Sequence, residues 1–242
     1  MKHRLVPSII AETSDILAIA KPAGLITHRD GRNSEPSVAE WLIARYPELA
    51  AIGEWVSPQG EHIALGGLVH RLDRGTSGVL LAAKTQEAYE YLKGEFKARR
   101  VEKKYLAYVH GQMKKAEGRI VAEIARSSTP PKKWYAKDCA ENAKRAAITD
   151  WRVLEKLEDA TLLELYPRTG RTHQIRVHLS HIGHPVVGDL LYARDYSSVL
   201  QKTGTITEER GRMYLHATSI TLTLPSGERA TFEAPLPPDF PR

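Results

Sequence analysis

The chain has 242 residues, of which 42% are hydrophobic, so it contains enough apolar sequence for a full core. Its 35 basic and 29 acidic residues give a net charge of +6, which points to a polyanionic partner. The single cysteine, Cys139, excludes an intrachain disulfide and a cysteine cluster for zinc, and no apolar run is long enough for a signal peptide or a membrane span. We therefore expect a cytoplasmic protein without a membrane segment.

The first 66 residues predict short strands and one helix. The stretch Ile9–Ala20 predicts two strands joined by a turn at Thr13–Asp15. Ser37 is followed three residues later by Glu40, a capping-box pattern that predicts the start of a short helix. Residues 47–66 are rich in Pro, Gly and polar side chains and predict a loop.

A single carboxylate interrupts two apolar runs in the segment GLVHRLDRGTSGVLL, residues 67–81. The first run, Leu68–Leu72, and the second both predict buried strands, which makes the segment a hairpin. Asp73 lies in its turn between Arg71 and Arg74, whose positive charges favour the ionised carboxylate. Such a group suits a nucleophile or a general base, although a purely structural Asp–Arg turn has the same composition.

The middle of the chain predicts a helix, a strand and a polar segment. Apolar residues recur at helical spacing over Gln86–Arg100, and alternation over Val101–His110 predicts a strand that carries Tyr105 on its apolar side. Residues 111–145 are polar, basic and interrupted by Pro130-Pro131, so we expect a flexible or loosely stranded excursion.

The C-terminal part predicts two hairpins and one helix. Trp151–Tyr166 and His216–Phe232 each contain alternating runs on either side of a turn. Thr172 is the expected N-cap of a helix that ends at Gly183. Because strands follow strands without regular helical crossovers, we predict an α+β fold with a mixed, mainly antiparallel central sheet flanked by helices, as a single domain over residues 1–242.

Basic residues occur in two groups that are interleaved with aromatic side chains. The groups are Lys93, Lys97, Arg99, Arg100, Lys103 and Lys104, and Lys132, Lys133, Lys137, Lys144 and Arg145. Phosphate contacts from such residues, with aromatic faces for unpaired bases, are typical of an RNA-binding surface. The alternative is a solvated charged face, which is the better interpretation for the helix over 86–100 taken alone.

A third cationic segment, PRTGRTHQIRVH, spans Pro167–His178 and surrounds the predicted helix start. The positive end of a helix favours an anion, and Arg171 is suited to bind a carboxylate or a phosphate. His178, His181 and His184 raise the alternative of a metal site, but packed or surface histidines are more common at such spacing, so we predict no metal.

Several of these segments, taken together, resemble the RluA-type RNA pseudouridine synthases. The matching blocks are KPAGLITH, HRLDRGTSG, EKKYLAYVHG, GRTHQIRVHLSHIGHPVVGDLLY and the closing LHATSITLTLP. They stand in the order of the family and cover nearly the whole chain. The resemblance implies a pseudouridine synthase-like α+β catalytic domain that isomerises uridine in structured RNA, ribosomal or transfer, and uses no cofactor.

The resemblance also implies roles for individual residues. Asp73 matches the essential aspartate that attacks the target uridine or initiates release of its base, after the nucleotide leaves its stack. Tyr105 matches the tyrosine that packs on the uracil and assists proton removal, and Arg171 matches the basic residue that pairs with the aspartate. Further RNA contacts are expected from Arg71, which matches the side chain that fills the gap left by the flipped nucleotide, and from Arg74, Lys21, His28, Lys104 and Arg176.

Three of these assignments have structural alternatives. Without the resemblance, Tyr105 is a core tyrosine on a strand, Arg71 a structural or phosphate-neutralising arginine, and Arg176 a helix-surface residue. Two other functional classes stay open, namely an RNA-binding protein without catalysis and a metal-dependent phosphoesterase. Many relatives also carry an N-terminal S4-type domain. Because the first predicted strand begins near residue 9, we expect no such domain here, and the catalytic domain then selects its RNA itself or through the basic excursion. We also expect a monomer.

Overall fold

The computed structural model describes residues 5–31, 35–128, 133–193 and 212–241. The chain divides into two compact units, Met1–Glu102 with Ala217–Pro237 and Lys103–His216 with Pro238–Arg242. The prediction of one domain over residues 1–242 stays a prediction. Within the described part of the chain, no helix is both long and apolar enough to cross a membrane.

The first unit is built on paired β-strands. Strands β1 (Ser8–Glu12), β2 (Ile16–Lys21), β5 (Ser77–Ala83) and β11 (Leu215–Thr223) lie in the order β1-β2-β5-β11, and β12 (Arg229–Glu233) pairs with β11. The pairs β1–β2, β2–β5 and β11–β12 are antiparallel. All seven residues of β5 are buried, as its continuous apolar sequence predicts. The predicted hairpins β1–β2 and β11–β12 are both confirmed.

The described part of the first unit also contains two α-helices and a small hairpin. Helix α1 (Val38–Arg45) starts with the predicted capping box of Ser37 and Glu40, and α2 (Gln86–Lys97) is capped by Thr85. The loop predicted over residues 47–66 is wrong in part. It contains a 3-10 helix (Pro47–Ala51) and strands β3 (Glu54–Val56) and β4 (His62–Ala64), which pair with each other.

The strand predicted over Leu68–Leu72 is also wrong, because this segment is a loop alongside β5 in which Leu68, Val69 and Leu72 are buried. It begins after two glycines with positive φ, Gly66 at +60° and Gly67 at +75°, which take the chain out of an extended conformation. The imidazole Nε2 of His70 then accepts a hydrogen bond from the Leu81 N–H at 3.0 Å. A side chain thus replaces part of the regular strand pairing.

In the described residues of the second unit, five strands pair antiparallel in the order β6-β10-β9-β7-β8. They are β6 (Glu102–His110), β7 (Glu117–Arg126), β8 (Trp134–Asp138), β9 (Ala146–Lys156) and β10 (Ala160–Pro167). Of the flexible or loosely stranded excursion predicted over 111–145, the flexible alternative is wrong, because β7 and β8 are regular members of the sheet. Pro130-Pro131 and Lys132 lie outside the described residues.

Helix α3 (Gln174–His181) packs on this sheet through the predicted apolar positions. Ile175 and Leu179 are buried in a core with β6, β9 and β10, and Gly183 follows the helix with φ +81°. The predicted cap is wrong, since the N-cap is His173 rather than Thr172. His173 has φ 54° and ψ 21°, a left-handed conformation that histidine adopts more readily than most residues.

Candidate active site

The backbone on both sides of Asp73 is fixed by the segment that carries the KPAGLITH sequence. On one side, the Thr27 hydroxyl donates to the Leu72 carbonyl at 2.7 Å and accepts from the Leu72 N–H at 3.1 Å. On the other side, the Arg74 carbonyl accepts from the Gly24 N–H at 2.7 Å. Asp73 itself is half-buried, and the backbone on either side of it is held in place.

Lys21 belongs to the same framework, and this corrects the prediction that it lines an RNA groove. Its side chain is buried, with the residue 1% exposed, and Nζ donates to the carbonyls of Pro22, Leu25 and Arg74 at 2.7–3.1 Å. An ammonium that is surrounded by carbonyls inside the protein is not available to a phosphate. Instead, the hydrogen bonds of its ammonium connect Arg74, the residue after Asp73, to the turn at Pro22–Leu25.

The other predicted contacts of the first unit lie nearer the surface. Arg71 is exposed, whereas Arg74 forms an ion pair with Glu35. His28 is half-buried, and its ring lies 5.9 Å from the ring of Trp55. Burial lowers the pKa of His28, and the nearby charges of Arg71 and Lys93 lower it further, so its imidazole is neutral at pH 7.

In the second unit, Tyr105 lies on β6 opposite Leu165 of β10 and packs against the core, partly buried. Two residues earlier, Nζ of Lys103 donates to the Thr169 carbonyl at 3.2 Å, which holds the start of β6 against the segment that leads to Arg171. The predicted residues Tyr105 and Arg171 therefore come from neighbouring segments of this unit.

Lys104, a predicted RNA contact, has a carboxylate partner. Its Nζ lies 3.6 Å from Oε1 of Glu164, and its side chain is about one third exposed. Burial by itself raises the pKa of Glu164, but hydrogen bonds from Tyr166 and Arg152 outweigh this effect and the pKa lies below its ordinary value. Lys104 thus faces a carboxylate that stays ionised at neutral pH, and its contact with RNA stays a prediction.

Gln174 organises the loop that carries Arg171. Its buried amide oxygen accepts from the Arg171 N–H at 3.0 Å and from the Thr169 hydroxyl at 2.7 Å. Its amide nitrogen donates to the Ile148 carbonyl and the Thr149 hydroxyl at 2.9 and 3.0 Å. Together, the two bonds to the loop and the two bonds to β9 hold the loop against β9. The Arg171 residue itself remains exposed.

Arg176 is not positioned as the predicted RNA contact. Its guanidinium makes a bidentate ion pair with Asp189 at 2.6 and 2.9 Å, and the two side chains are 11% and 1% exposed. It also lies over the Tyr192 ring, with the guanidinium carbon 5.0 Å from the centroid. The Tyr192 hydroxyl in turn contacts His173 Nδ1 at 2.9 Å and accepts from the Trp134 N–H at 3.2 Å. Arg176 therefore supports the fold around the Arg171 loop.

The three histidines that raised the metal alternative each have a different protein partner. His178 Nδ1 contacts the Thr149 hydroxyl, His181 contacts Asp138, and His184 Nδ1 contacts the His110 carbonyl. Among the residues that the structure describes, no three His, Cys, Asp or Glu side chains lie together in a way that could hold a metal ion.

Sequence reasoning missed Thr27, Gln174, Asp189 and Tyr192. All four lie within the blocks that carry the family resemblance, which is the signal that could have identified them. Their residue types alone gave no such indication, because each acts on a backbone or side-chain partner that is distant in sequence or across a turn.

Comparisons with known proteins agree with this architecture. Two solved structures, human RNA pseudouridylate synthase domain containing 1 and domain containing 4, superpose with TM-scores of 0.69 and 0.70 at 29% and 25% identity. Each alignment covers 96% of this chain, with 84% and 89% of the human chains. The predicted α+β fold with a mainly antiparallel sheet is confirmed.

Residues 15–181 match the model of the RNA pseudouridylate synthase family. Over 96% of its length, the chain is 36% identical to ribosomal large subunit pseudouridine synthase D of Pseudomonas aeruginosa and 35% identical to an uncharacterised RNA pseudouridine synthase of Synechocystis. It spans 69% and 66% of those two proteins. The chain belongs to the RNA pseudouridylate synthase family, a class of isomerases, as its sequence blocks predicted.

Proposed function

We propose that this chain isomerises specific uridines of structured RNA to pseudouridine, with Asp73 as the nucleophile acting on a flipped-out nucleotide. The observation that carries this proposal is the Asp73 turn. A half-buried carboxylate lies between two residues whose backbone groups are held by Thr27 and Gly24. A nucleophile needs such fixed geometry relative to the reacting carbon, whereas a carboxylate that only terminates a turn does not.

The reaction is an intramolecular transfer that changes no atom count. The Asp73 carboxylate attacks the nucleotide or initiates departure of its base, and the bond between N1 and C1′ breaks. The uracil rotates so that C5 faces C1′, and a carbon–carbon bond forms as any bond between the Asp73 carboxylate and the nucleotide breaks. The C5 proton is then lost and N1 is protonated, which regenerates the free carboxylate. Since no redox change occurs, the side chains of the protein suffice and we propose no cofactor.

Tyr105 and Arg171 have the roles that the resemblance implies. The Tyr105 ring offers a flat face to the uracil while its hydroxyl assists proton removal from C5. For Arg171 we propose the role of the basic residue that pairs with the essential aspartate of the family. The Arg171 loop is held for this task by Gln174, and Arg71 occupies the space that the extruded nucleotide leaves.

Ribosomal RNA is the substrate we favour over transfer RNA. The support is the printed name of the Pseudomonas relative, which refers to the large ribosomal subunit. The charge of +6 supplies nonspecific affinity for the RNA backbone, and the exposed Arg71 is among the expected contacts. We further propose that the protein acts as a monomer in the cytoplasm.

Asp73→Asn tests the role of the nucleophile, because it keeps the shape of the side chain and removes its charge. We expect RNA affinity within about threefold of the wild type and loss of pseudouridine formation by at least about 10³-fold. Asp15→Asn is the matched control, since it makes the same substitution at another turn of the first unit and leaves turnover intact. Persistent conversion by Asp73→Asn means that another group attacks the nucleotide.

Mapping pseudouridines in total RNA identifies the substrate. RNA is taken from cells with the gene, without it, and without it but carrying the Asp73→Asn form. Sites that vanish in the second and third samples are those that the protein modifies. A transfer RNA site rather than a ribosomal one would change the substrate class and leave the chemistry as proposed.

A further inference from the structure

The Thr27 hydroxyl makes two hydrogen bonds to the backbone of a single residue, Leu72. A neighbouring strand would make an equivalent pair of bonds to that residue. Thr27 is 3% exposed, and its hydroxyl both donates to the Leu72 carbonyl and accepts from the Leu72 N–H. Leu72 lies in the loop that precedes Asp73, where no regular strand pairing satisfies its backbone. One hydroxyl therefore fulfils both backbone bonding requirements of the residue before the nucleophile.

The Thr27 backbone is itself firmly held. Its carbonyl accepts from the Ala39 N–H at 3.0 Å, and the preceding Ile26 carbonyl accepts from the Val38 N–H at 3.0 Å. Val38 and Ala39 are the first residues of α1, whose start is fixed by the capping box. A rigid connection thus runs from the first turn of α1, through Thr27 and Leu72, to the residue that carries the carboxylate.

We propose that Thr27 is a positioning residue for Asp73, and that its hydroxyl sets the orientation of the carboxylate toward the ribose of the target nucleotide. This inference rests on the proposed role of Asp73. A displacement of about 1 Å at a reacting group lowers rates about 100-fold. Without the two Thr27 bonds, the Leu72 peptide is free to rotate. Such a rotation changes the orientation of the next side chain, which is that of Asp73.

Thr161 provides a control because its hydroxyl also makes two backbone hydrogen bonds, here to two different residues. It is fully buried in the second unit, where its hydroxyl donates to the Gly111 carbonyl at 2.8 Å and accepts from the Met113 N–H at 3.2 Å. It lies at the start of β10, and Leu165, the partner of Tyr105, lies toward the other end of that strand. Thr161→Val removes equivalent bonds without touching the proposed chemistry.

The experiment compares Thr27→Val, Thr27→Ser, Thr161→Val and Asp73→Asn on a transcript that contains the mapped uridine. Single-turnover rates, RNA dissociation constants and urea midpoints are measured for each variant. We expect both valine variants to lower the urea midpoint. Of these two valine variants, only Thr27→Val lowers the single-turnover rate, by about 10- to 100-fold with RNA affinity within about twofold, and Thr27→Ser restores the rate to within about threefold of the wild type.

Two results overturn the proposal, namely a Thr27→Val rate within about threefold of the wild type, or an equal rate loss in Thr161→Val. If Thr27→Val does not fold, Thr27→Ala carries the same expectation because it removes the hydroxyl without adding bulk. Asp73→Asn distinguishes a failure of the proposed nucleophile from a failure of the proposed role of Thr27. Activity retained by Asp73→Asn refutes the nucleophile itself, whereas an inactive Asp73→Asn beside a fully active Thr27→Val refutes only the role of Thr27.

Discussion

Replacing Arg176 with leucine removes one partner of a buried ion pair and leaves the Asp189 carboxylate without its cation. Breaking such a pair costs about 3–5 kcal/mol of unfolding free energy, because the remaining charge is desolvated without compensation. Oδ1 of Asp189 still accepts from the N–H groups of Leu191 and Tyr192 at 3.0 and 3.2 Å, so we expect the lower end, about 3 kcal/mol. Adding Asp189→Asn to Arg176→Leu should recover part of the loss, since the amide keeps an acceptor oxygen.

Urea unfolding monitored by circular dichroism measures this cost, with Arg168→Leu as the control. Arg168 pairs with Asp150, but more than half of its side chain is exposed and Asp150 keeps Arg119 as a second partner, so we expect a loss below about 1 kcal/mol. The same Arg176→Leu protein should keep the wild-type salt dependence of RNA affinity. A cost under 1 kcal/mol, or a salt slope that is less steep by about one phosphate contact, would refute the structural role of Arg176.

Three further predictions concern pH, packing and salt. Burial lowers the pKa of His110 and His178 to about 4, so unfolding takes up protons below pH 6.5. The unfolding free energy should therefore fall from pH 6.5 towards pH 4, by up to about 3 kcal/mol per histidine. Urea titrations of His178→Gln should show a weaker pH dependence than those of the wild type. Gly78→Ala should lower the unfolding free energy by about 3 kcal/mol or more in the same assay, because φ is +122° and a Cβ would lie 2.1 Å from the Ala217 carbonyl oxygen. The control Gly183→Ala has open space around the new Cβ and should lower it by about 1 kcal/mol. RNA affinity of the wild type should fall steeply with salt in filter-binding assays, with a log–log slope of several units, and a flat response would contradict the electrostatic part of the account.

The elements that the sequence predicted correctly are those in which local pattern and tertiary contacts agree. Ser37 and Glu40 satisfy each other within one turn, so their pattern suffices to locate the start of α1. The apolar run at β5 is buried at every position, as expected for a central strand. By contrast, Leu68–Leu72 has a similar apolar composition but is a loop, because two left-handed glycines and the His70 ring determine its path.

The errors at charged residues have a common cause, which is that the partner lies far along the chain or across a turn. Lys21 looks like a surface lysine until Arg74, 53 residues later, supplies one of its acceptors. Arg176 finds Asp189 thirteen residues further on. The basic segment over 111–145 has little apolar content of its own. Its strand β7 is ordered by antiparallel pairing with β9, and β8 by antiparallel pairing with β7. Residue type and spacing contain no information about such pairings.

The most direct test of the central claim is single-turnover conversion of the mapped uridine by wild-type protein and by Asp73→Asn at saturating protein concentration. Saturation removes any difference in RNA affinity, so only the chemical step is compared. The account predicts that the wild type converts the uridine and that the variant, bound to the same RNA, yields no measurable pseudouridine. Conversion by the variant at a rate within tenfold of the wild type would contradict it.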